Sequence, residues 1–521
     1  MRSRPEPGAP LPEPGPLSRR QVLRGAGAVA ATGLAATSGL LGPAGLSGAA
    51  AGAARRTKWG ELQRHLRGRL LRPETPGYRA AAPPYNRRYV DVRPRAIAEC
   101  AGTEDVRTCI LWAGAHHVPF AVRAGGHSYA GYSTTDGLLI SVSPLRSITA
   151  NVPAHTVTIG AGVQNRDLFK ALPPLDLAVP NGRCPTVGMG GFVLGGGFGF
   201  SSRRLGLASD NLVRTTVVTA DGAVLTCDEH SHPDLFWALR GGGGGNFGIN
   251  TRFVLRTHPI GPLSVYKLRW RWEDATAVLD AAQELMASAP DTLSARAGLD
   301  VAAPSSPGTP PGLSVSALGQ YFGHHDRLQA LLAPLLAAAQ PTEQVIRSVT
   351  HAQAVDFFAA NVPVGRFTEK SSYIGPGGFD RTFVQTGMAW IEKWPGSTNT
   401  TAVGLTLFAW GGAMGRPAPT DTAFVHRDAS WLGVVGTSWG KGDSATVVNA
   451  NLDWLGGFAA AIAPYVTEQS YQNFADPALA DWQRAYYGEN FPRLVEVKRT
   501  YDPGDLFTFP QGIPVSAAAA S

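Results

Sequence analysis

Short segments in which apolar and polar positions alternate dominate the chain from residue 85 to residue 260. Runs of this kind are typical of half-buried strands. Helical spacing over Thr103–Trp112, with Thr103 as the N-cap, predicts a helix among them. The predicted strands are Pro94–Glu99, Phe120–Arg123, Leu138–Val142, Thr156–Ile159, Val213–Thr219 and Thr251–Leu255.

The pattern of apolar and polar positions changes near Pro262, where the alternating segments become longer. Long antiparallel strands with helices on one side predict an α+β substrate domain over residues 261–465. After it the chain resembles the first domain again, so residues 466–515 are predicted to complete a discontinuous domain. The strands predicted here are Tyr266–Trp272, Leu299–Val301, Leu313–Tyr321 and Ala402–Trp410, and the helices are Ala277–Ala287 and Arg327–Leu336.

Two glycine-rich loops stand out in the first domain. Residues 119–129 read Pro-Phe-Ala-Val-Arg-Ala-Gly-Gly-His-Ser-Tyr, and residues 181–199 read Asn-Gly-Arg-Cys-Pro-Thr-Val-Gly-Met-Gly-Gly-Phe-Val-Leu-Gly-Gly-Gly-Phe-Gly. Glycine lacks a Cβ and tolerates positive φ, so such loops bring backbone N–H groups close to a large anionic ligand. Each loop also carries one nucleophilic side chain, His127 in the first and Cys184 in the second.

Two further motifs follow in order. Residues 234–249 read Asp-Leu-Phe-Trp-Ala-Leu-Arg-Gly-Gly-Gly-Gly-Gly-Asn-Phe-Gly-Ile, and residues 486–498 read Tyr-Tyr-Gly-Glu-Asn-Phe-Pro-Arg-Leu-Val-Glu-Val-Lys. Together the four motifs resemble those of berberine-bridge-enzyme-like FAD-linked oxidases, within the vanillyl-alcohol-oxidase type of flavoprotein. The resemblance implies an α+β fold in which a PCMH-type FAD-binding domain is formed from residues 85–260 and 466–515.

The resemblance also implies that FAD is bound covalently to both loops. His127 would hold the flavin 8α carbon and Cys184 would hold C6, and Tyr487 and Asn490 resemble residues that face the isoalloxazine ring. The other implied FAD-binding residues are Arg123, Gly125, Gly126, Ser128, Gly188, Gly190, Gly191, Gly195, Gly196, Gly197, Gly199, Asn246, Gly248 and Ile249.

Two catalytic residues follow from the same resemblance. Val187 occupies the position of a gate for oxygen, and a small valine there favours an oxidase. Tyr471 resembles the tyrosine that sugar oxidases of the family use as a base, and because a free tyrosine has a pKa of about 10, its neighbours would have to lower it. Core packing is the alternative for Tyr471. Some relatives use a glutamate shortly after a paired glycine, whereas Gly411-Gly412 is followed here by Ala-Met-Gly.

The expected activity is hydride transfer from a hydroxyl-bearing substrate to FAD, with reoxidation by oxygen to hydrogen peroxide. The substrate class stays open between a sugar, an oligosaccharide or a glycosylated secondary metabolite and a phenolic or alkaloid C–H bond. One alternative is a dehydrogenase that passes electrons to a quinone-type acceptor. Another is a secreted binding protein that retains flavin without turnover.

Composition and spacing count against other ligands. The net charge of +7 includes +3 from residues 1–54, so the rest of the chain has only a mild surplus and nucleic acid binding is not expected. Residues 243–248 match the dinucleotide pattern GxGxxG, but a helix-like segment precedes them and a strand follows, the reverse of the order that NAD(P) sites require. His116-His117 lacks acidic or cysteine partners, so no metal is expected.

Residues 1–54 are predicted to be an export signal of the twin-arginine type. Arg19-Arg20 precedes a weakly hydrophobic Ala/Gly/Leu stretch, and this signal predicts secretion without a stable membrane anchor. A signal anchor is the alternative. If flavin uses Cys184, then Cys100 and Cys109 are the natural pair for a disulfide in an exported protein. The oligomeric state is left open.

Overall fold

The computed structural model describes residues 58–302, 311–359, 365–401 and 403–516, so the predicted export signal and Ala402 lie outside the described residues. The first half of the described chain forms short strands, as its alternating pattern predicts. They are β1 (Arg69–Leu71), β2 (Ala96–Glu99), β3 (Phe120–Arg123), β4 (Leu138–Ser141), β5 (Ile148–Asn151), β6 (Thr156–Gly160), β7 (Leu177–Ala178), β8 (Leu212–Val218), β9 (Val224–Cys227), β10 (Ile249–Arg256) and β11 (His258–Pro259).

These strands form mixed and antiparallel sheets. One sheet has the order β1-β2-β4-β3, with β2 and β3 parallel to β4 and β1 antiparallel to β2. A second has the order β5-β6-β10-β8-β9 and is antiparallel throughout. Strand β3 leads directly into the first glycine loop, so the sheet edge fixes where that loop begins.

The second half forms one large antiparallel sheet in the order β15-β12-β14-β13-β17-β18-β16. This arrangement confirms the α+β prediction with an antiparallel sheet. Three of its strands, β15, β16 and β18, are missing from the sequence-based prediction. The strands are β12 (Leu263–Trp270), β13 (Arg296–Ala302), β14 (Gly312–Tyr321), β15 (Glu343–Val349), β16 (Arg366–Ile374), β17 (Gly404–Ala409) and β18 (Trp431–Trp439).

Helices cover one face of this large sheet. Leu279, Leu332 and Phe383 project from three helices onto buried strand residues such as Leu299 and Leu405. The labelled helices are α1 (Tyr78–Ala81), α2 (Thr103–Ala115), α3 (Asn165–Ala171), α4 (Met189–Leu194), α5 (Ser202–Leu205), α6 (Pro233–Ala238), α7 (Ala275–Ser288), α8 (His325–Ala338), α9 (His351–Ala359), α10 (Arg381–Ile391), α11 (Ala445–Ile462), α12 (Trp482–Tyr487) and α13 (Phe491–Tyr501).

The opposite face of the sheet meets the glycine-rich segments. Because side chains alternate along a strand, Tyr373 and Leu432 turn away from the helices and pack in a second cluster with Phe424 and Tyr471. The Arg427 guanidinium fixes this contact through two bonds to the Asp210 carboxylate, at 2.8 and 2.9 Å. The face therefore forms one wall of the space beside the second glycine loop.

The C-terminal segment returns to the first half of the chain. Helix α13 packs against α6, and the fully buried Lys498 ammonium on α13 donates to the Asn246 carbonyl at 3.0 Å. The same ammonium pairs with the fully buried Asp502 carboxylate at 2.7 Å. A paired and hydrogen-bonded charge of this kind ties the last motif to the third one. The exact domain boundaries stay a prediction.

Three details differ from the sequence-based expectation. Trp272 lies in a short 3₁₀ helix beyond the end of β12. The N-cap of α2 is Gly102 in extended conformation, and the Thr103 hydroxyl instead contacts the Thr251 hydroxyl at 3.0 Å. Cys100 and Cys109 are buried free thiols, and the disulfide is not formed.

Candidate active site

The two glycine loops touch through their backbones. A Cβ on Gly125 would lie 2.3 Å from the Gly188 nitrogen and 2.7 Å from the Thr186 carbonyl oxygen, so only glycine allows this approach. Gly126 has a φ of +76°, which turns the chain toward the second loop. This contact brings the segments that carry His127 and Cys184 together.

His127 is held in one orientation. Its Nε2 lies 2.8 Å from the Thr186 hydroxyl, and its ring stacks on Tyr85 with 3.7 Å between centroids and 19° between planes. Burial lowers the pKa of His127 to about 4. The imidazole is therefore neutral near pH 7 and can act as a nucleophile.

Cys184 is also shielded from water, but two charged groups lie near it. The Asn165 side-chain amide donates to the Cys184 carbonyl at 2.9 Å, which fixes its backbone. Burial raises the pKa of the Cys184 thiol, the Arg183 guanidinium lowers it, and the Glu369 carboxyl raises it. The side chain is therefore a thiol near pH 7, with one cation beside it that favours the thiolate.

The first loop presents backbone donors. The N–H groups of Gly126, His127 and Ser128 donate to no backbone carbonyl within the described ranges. The Ser128 hydroxyl accepts the Tyr132 N–H at 3.0 Å, which closes the turn behind them. Consecutive unpaired N–H groups suit an anion such as a pyrophosphate. These residues fit an FAD diphosphate.

Arg123 supports the loop from beneath. Its guanidinium donates to the carbonyls of Ser133 at 2.8 Å, Ala81 at 2.7 Å and Ala82 at 3.0 Å. Burial lowers the pKa of Arg123 to about 10. One nitrogen, Nη2, is buried without a hydrogen bond in the described part of the chain. Arg123 is therefore mainly occupied with backbone carbonyls, and only Nη2 is left for a ligand.

The glycines of the second loop allow close packing. Gly197 has a φ of +79° and donates its N–H to the Tyr471 hydroxyl at 2.9 Å. Gly196 has a φ of +109° and lies against Phe424 and Tyr471. The loop is therefore joined directly to the large sheet's wall. Of the other predicted glycines, Gly190 packs on the Ala161 carbonyl, Gly191 borders open space, Gly195 meets Asn473 and Gly199 meets the Asn181 carbonyl.

Tyr471 is buried, and its hydroxyl oxygen accepts two hydrogen bonds. The donors are the Gly197 N–H and, at 3.0 Å, the Asn473 amide. Burial raises the pKa of Tyr471 to about 12, although these bonds lower it. The expectation that its neighbours lower the pKa below the free value is therefore not met. The phenol keeps its proton near pH 7.

The third motif is placed behind the loops. The Asn246 amide donates to the Gly242 carbonyl at 2.9 Å and accepts the Ile513 N–H at 2.9 Å. Gly248, with a φ of +153°, packs against strand β8, and Ile249 begins β10. These residues join the motif to the sheet and to the C-terminal segment.

The side chains of Tyr487 and Asn490 also donate hydrogen bonds to backbone carbonyls of other segments. The Tyr487 hydroxyl donates to the Gly242 carbonyl at 3.1 Å. The Asn490 amide donates to the carbonyls of Pro419 at 2.8 Å and Thr422 at 3.2 Å. Val187 lies in the second loop, where its N–H donates to the Cys184 carbonyl at 3.3 Å. The gate position therefore adjoins Cys184.

Sequence reasoning missed three residues of this site. Tyr129 stacks in parallel on Phe474 with 4.9 Å between centroids, and Phe474 packs edge-on to Tyr471 at 5.0 Å. Glu369 on β16 is partly buried beside Arg183. Burial raises the pKa of Glu369 to about 7, and Arg183 lowers it. Tyr129 could have been predicted as a site residue because it lies two residues after His127 in the sequence. No motif near Glu369 in the sequence indicates that it belongs to the site.

Within the described ranges, no group of three or more His, Cys, Asp or Glu side chains could hold a metal ion. Among the helices of those ranges, none has the length and apolar character to cross a bilayer.

Two family models match the chain. A model described as "FAD binding domain" matches residues 94–228, and one described as "Berberine and berberine like" matches residues 470–514. The first match contains both glycine loops and the second contains Tyr471, Tyr487 and Asn490. The matched segments are therefore the ones that meet at the site.

Named relatives match over most of their length. The chain is 34% identical to an uncharacterized FAD-linked oxidoreductase, YgaK, of Bacillus subtilis, over 86% of this chain and 97% of that protein. It is 28% identical to a glucooligosaccharide oxidase of Sarocladium strictum, over 80% of this chain and 87% of that protein.

The fold matches solved structures as well. Physcomitrella patens BBE-like 1 superposes with a TM-score of 0.80 at 28% identity, covering 88% of this chain and 99% of that one. A chitooligosaccharide oxidase superposes with a TM-score of 0.77 at 24% identity, over 88% of this chain and 100% of that one, which shows the fold alone. The chain belongs to the berberine-bridge-enzyme-like FAD-linked oxidoreductases of the PCMH-type FAD-binding family.

Proposed function

We propose that this protein is an oxidase that holds FAD through two covalent bonds, from His127 and Cys184. The observation that carries the proposal is the contact between the two glycine loops. Gly125 approaches Gly188, and Thr186, two residues from Cys184, holds the His127 imidazole at 2.8 Å. The contact brings together two loop segments that carry nucleophiles of different chemistry, and this supports a single ring attached at two carbons.

FAD would supply a two-electron acceptor for hydride. The residues of the chain would bind the FAD and orient the substrate. The N–H groups of Gly126, His127 and Ser128 suit the diphosphate. The Tyr471 phenol, protonated near pH 7, can donate a hydrogen bond to a substrate hydroxyl. The stacked rings of Tyr129 and Phe474 exclude water beside it.

We propose a carbohydrate or a glycosylated metabolite as substrate. A small pocket with a volume of about 30 Å³, partly open to solvent, lies beside the second loop. Phe200 and Phe358 line it together with Asn181, Gln320 and His351, and the His351 Nδ1 has no hydrogen-bond partner within the described ranges. The pocket is too small to enclose a sugar ring, but aromatic faces combined with a few polar groups suit contact with a sugar at its mouth. Relatives named as oxidases of glucooligosaccharides and xylooligosaccharides support this class.

We also propose oxygen as the electron acceptor and export by the twin-arginine route. The support for oxygen is the small side chain of Val187 beside Cys184. The support for export is the paired arginine ahead of the Ala/Gly/Leu stretch in residues 1–54. Folded export would let the flavin attach before secretion.

The test is a mass spectrum and an absorption spectrum of the purified, denatured protein, followed by a peroxide assay. We expect a mass increased by one FAD, yellow colour in the acid precipitate, and peroxide release with cellobiose, xylobiose or chitobiose. Free FAD in the supernatant would overturn the covalent attachment. Peroxide from phenols alone would favour the phenolic or alkaloid class, as the relative named (R)-6-hydroxynicotine oxidase suggests. Reduction of a quinone without oxygen uptake would favour a dehydrogenase, and retained flavin without turnover would favour a binding protein.

A further inference from the structure

Strand β16 is an edge strand, and one of its faces is turned to the site. Because side chains alternate, Phe367, Glu369 and Ser371 share that face. The Phe367 ring meets Tyr129 edge-on at 5.1 Å, and the Ser371 hydroxyl accepts the Tyr471 N–H at 3.1 Å. Along this face of the strand, Glu369 therefore lies between Phe367, which contacts Tyr129 of the first loop, and Ser371, which contacts the backbone of Tyr471.

Four groups from other elements lie near enough to the Glu369 carboxyl to interact with it electrostatically. They are the Arg183 guanidinium, the Cys184 thiol and the phenols of Tyr85 and Tyr129. Burial raises the pKa values of both phenols, so neither titrates near neutral pH. Arg183 is the one cation in this set. The cluster thus holds a single carboxyl beside the proposed flavin attachment point.

The neighbouring cation on the strand is engaged elsewhere. Lys370 points to the other face of β16 and pairs with the Asp476 carboxylate. It therefore does not neutralise Glu369. Burial raises the pKa of Glu369 to about 7, and Arg183 opposes that rise. A carboxyl in this condition exchanges a proton near neutral pH, as a general base requires.

The position of Glu369 relative to the flavin follows from the proposed attachment of C6 to Cys184, and this inference rests on that attachment. In isoalloxazine, C6 is peri to N5, the atom that receives hydride. A group beside Cys184 is therefore beside the reacting atoms if Cys184 holds C6. Burial raises the pKa of Tyr471 to about 12, so its phenol carries a proton near pH 7, whereas Glu369 can be ionised there.

We propose that Glu369 is a catalytic residue that accepts the proton of the substrate hydroxyl as hydride leaves the same carbon. The O–H proton passes to the carboxylate, and the C–H hydrogen passes with its electron pair to the flavin. A C=O bond forms on the substrate. Glu369 returns its proton when the two electrons pass to oxygen, which leaves as hydrogen peroxide.

The test compares Glu369→Gln with Glu343→Gln. Glu343 lies on β15 at the opposite edge of the same sheet, where it pairs with Lys267 at 2.6 Å, so it reports the effect of the same chemical change away from the site. Flavin reduction is followed anaerobically with cellobiose, xylobiose or chitobiose between pH 5 and pH 9. In wild type and Glu343→Gln the rate should rise through a pKa near 7, because the base acts when it is ionised. In Glu369→Gln it should fall by about 10²–10⁴-fold, without that rise.

A second readout does not depend on turnover. Difference infrared spectra of wild type between pH 6 and pH 8 should show a carboxylic acid C=O signal that Glu369→Gln lacks. Loss of the signal in Glu343→Gln instead, or ionisation of Glu369 throughout, would overturn the proposal. Failure of wild type to oxidise any sugar would count against the proposed substrate class, and the infrared titration would still decide whether Glu369 exchanges a proton.

The mass of each variant separates catalysis from attachment. Glu369→Gln should keep both bonds to FAD and the melting temperature of Glu343→Gln. If it carried flavin through His127 alone, Glu369 would act in forming the Cys184 bond and the proposed role would be wrong. An unchanged rate with intact flavin would also overturn the proposal.

Discussion

The first and second glycine loops both bury their nucleophiles, but burial shifts the two pKa values in opposite directions. His127 is stacked on Tyr85 and held by Thr186, and burial lowers its pKa to about 4. Cys184 is also desolvated, but burial raises its pKa, and only Arg183 works against that rise. The same physical cause therefore produces a neutral imidazole and a neutral thiol.

The difference concerns readiness to react. Desolvation disfavours whichever form is charged, so it removes the proton from an imidazole and keeps it on a thiol. The neutral imidazole already presents a lone pair, whereas the thiol must first lose its proton because the thiolate is the nucleophile. We therefore expect the bond from His127 to form first and the bond from Cys184 to limit the overall attachment.

The largest expected effect is on the pH dependence of the two attachments. Cys184→Ala retains only His127, and His127→Ala retains only Cys184. With flavin-free protein, FAD and air, attachment in Cys184→Ala should be nearly constant from pH 5 to pH 8, because the imidazole is already neutral. Attachment in His127→Ala should rise by about 10²–10³-fold, since the thiolate fraction grows about tenfold per pH unit below the thiol pKa.

Mass spectrometry of denatured samples over time measures both rates. Saturating FAD, checked by quenching of its fluorescence, separates attachment from binding. Glu369 gains charge near pH 7 and should flatten the upper part of the rise in His127→Ala. Equal pH profiles for the two variants would remove the proposed difference between the loops.

A smaller effect is expected from Arg183→Gln. The guanidinium lowers the pKa of Cys184, so its removal should reduce the thiolate fraction and slow the cysteinyl attachment by about tenfold. Attachment at His127 should not change. Arg166→Gln, at an exposed position of α3, is the matched control. Equal slowing of both attachments would show that Arg183 acts on FAD binding instead.

The two glycine loops could be predicted from the sequence because short, continuous motifs determine both their conformation and their reactive side chains. Positive φ at Gly126 and Gly197 requires glycine at those positions, and His127 directly follows Gly126. Cys184 lies earlier in the glycine run that contains Gly197. The motif therefore carries both the conformation and the chemistry. The strands that precede and follow the first loop, β3 and β4, were predictable as short apolar runs beside the glycines, although β4 is buried throughout and shows no alternation.

The Glu369 side of the site could not be predicted in this way. Its position depends on the pairing of β16 with β18, which brings Glu369 opposite Gly436. All nine residues of β18 are buried, so that strand shows no alternation to predict it. The pKa values of Tyr471 and Glu369 could not be predicted either. Segments distant in the sequence bury both side chains, and this burial decides whether each keeps its proton.

The smallest expected effect is that of Thr186→Val on the imidazole. The valine keeps the size of the side chain but removes the hydroxyl 2.8 Å from Nε2 of His127. A neutral hydrogen bond contributes about 1 kcal/mol, so loss of this orientation should slow attachment at His127 about fivefold. Attachment at Cys184 should be unaffected, although it lies two residues away. Thr149→Val, at an exposed position of β5, controls for the substitution itself. If Thr186→Val slowed the cysteinyl bond alone, the second loop would depend on Thr186 for its own shape, and the imidazole would be oriented by stacking on Tyr85 rather than by this hydrogen bond.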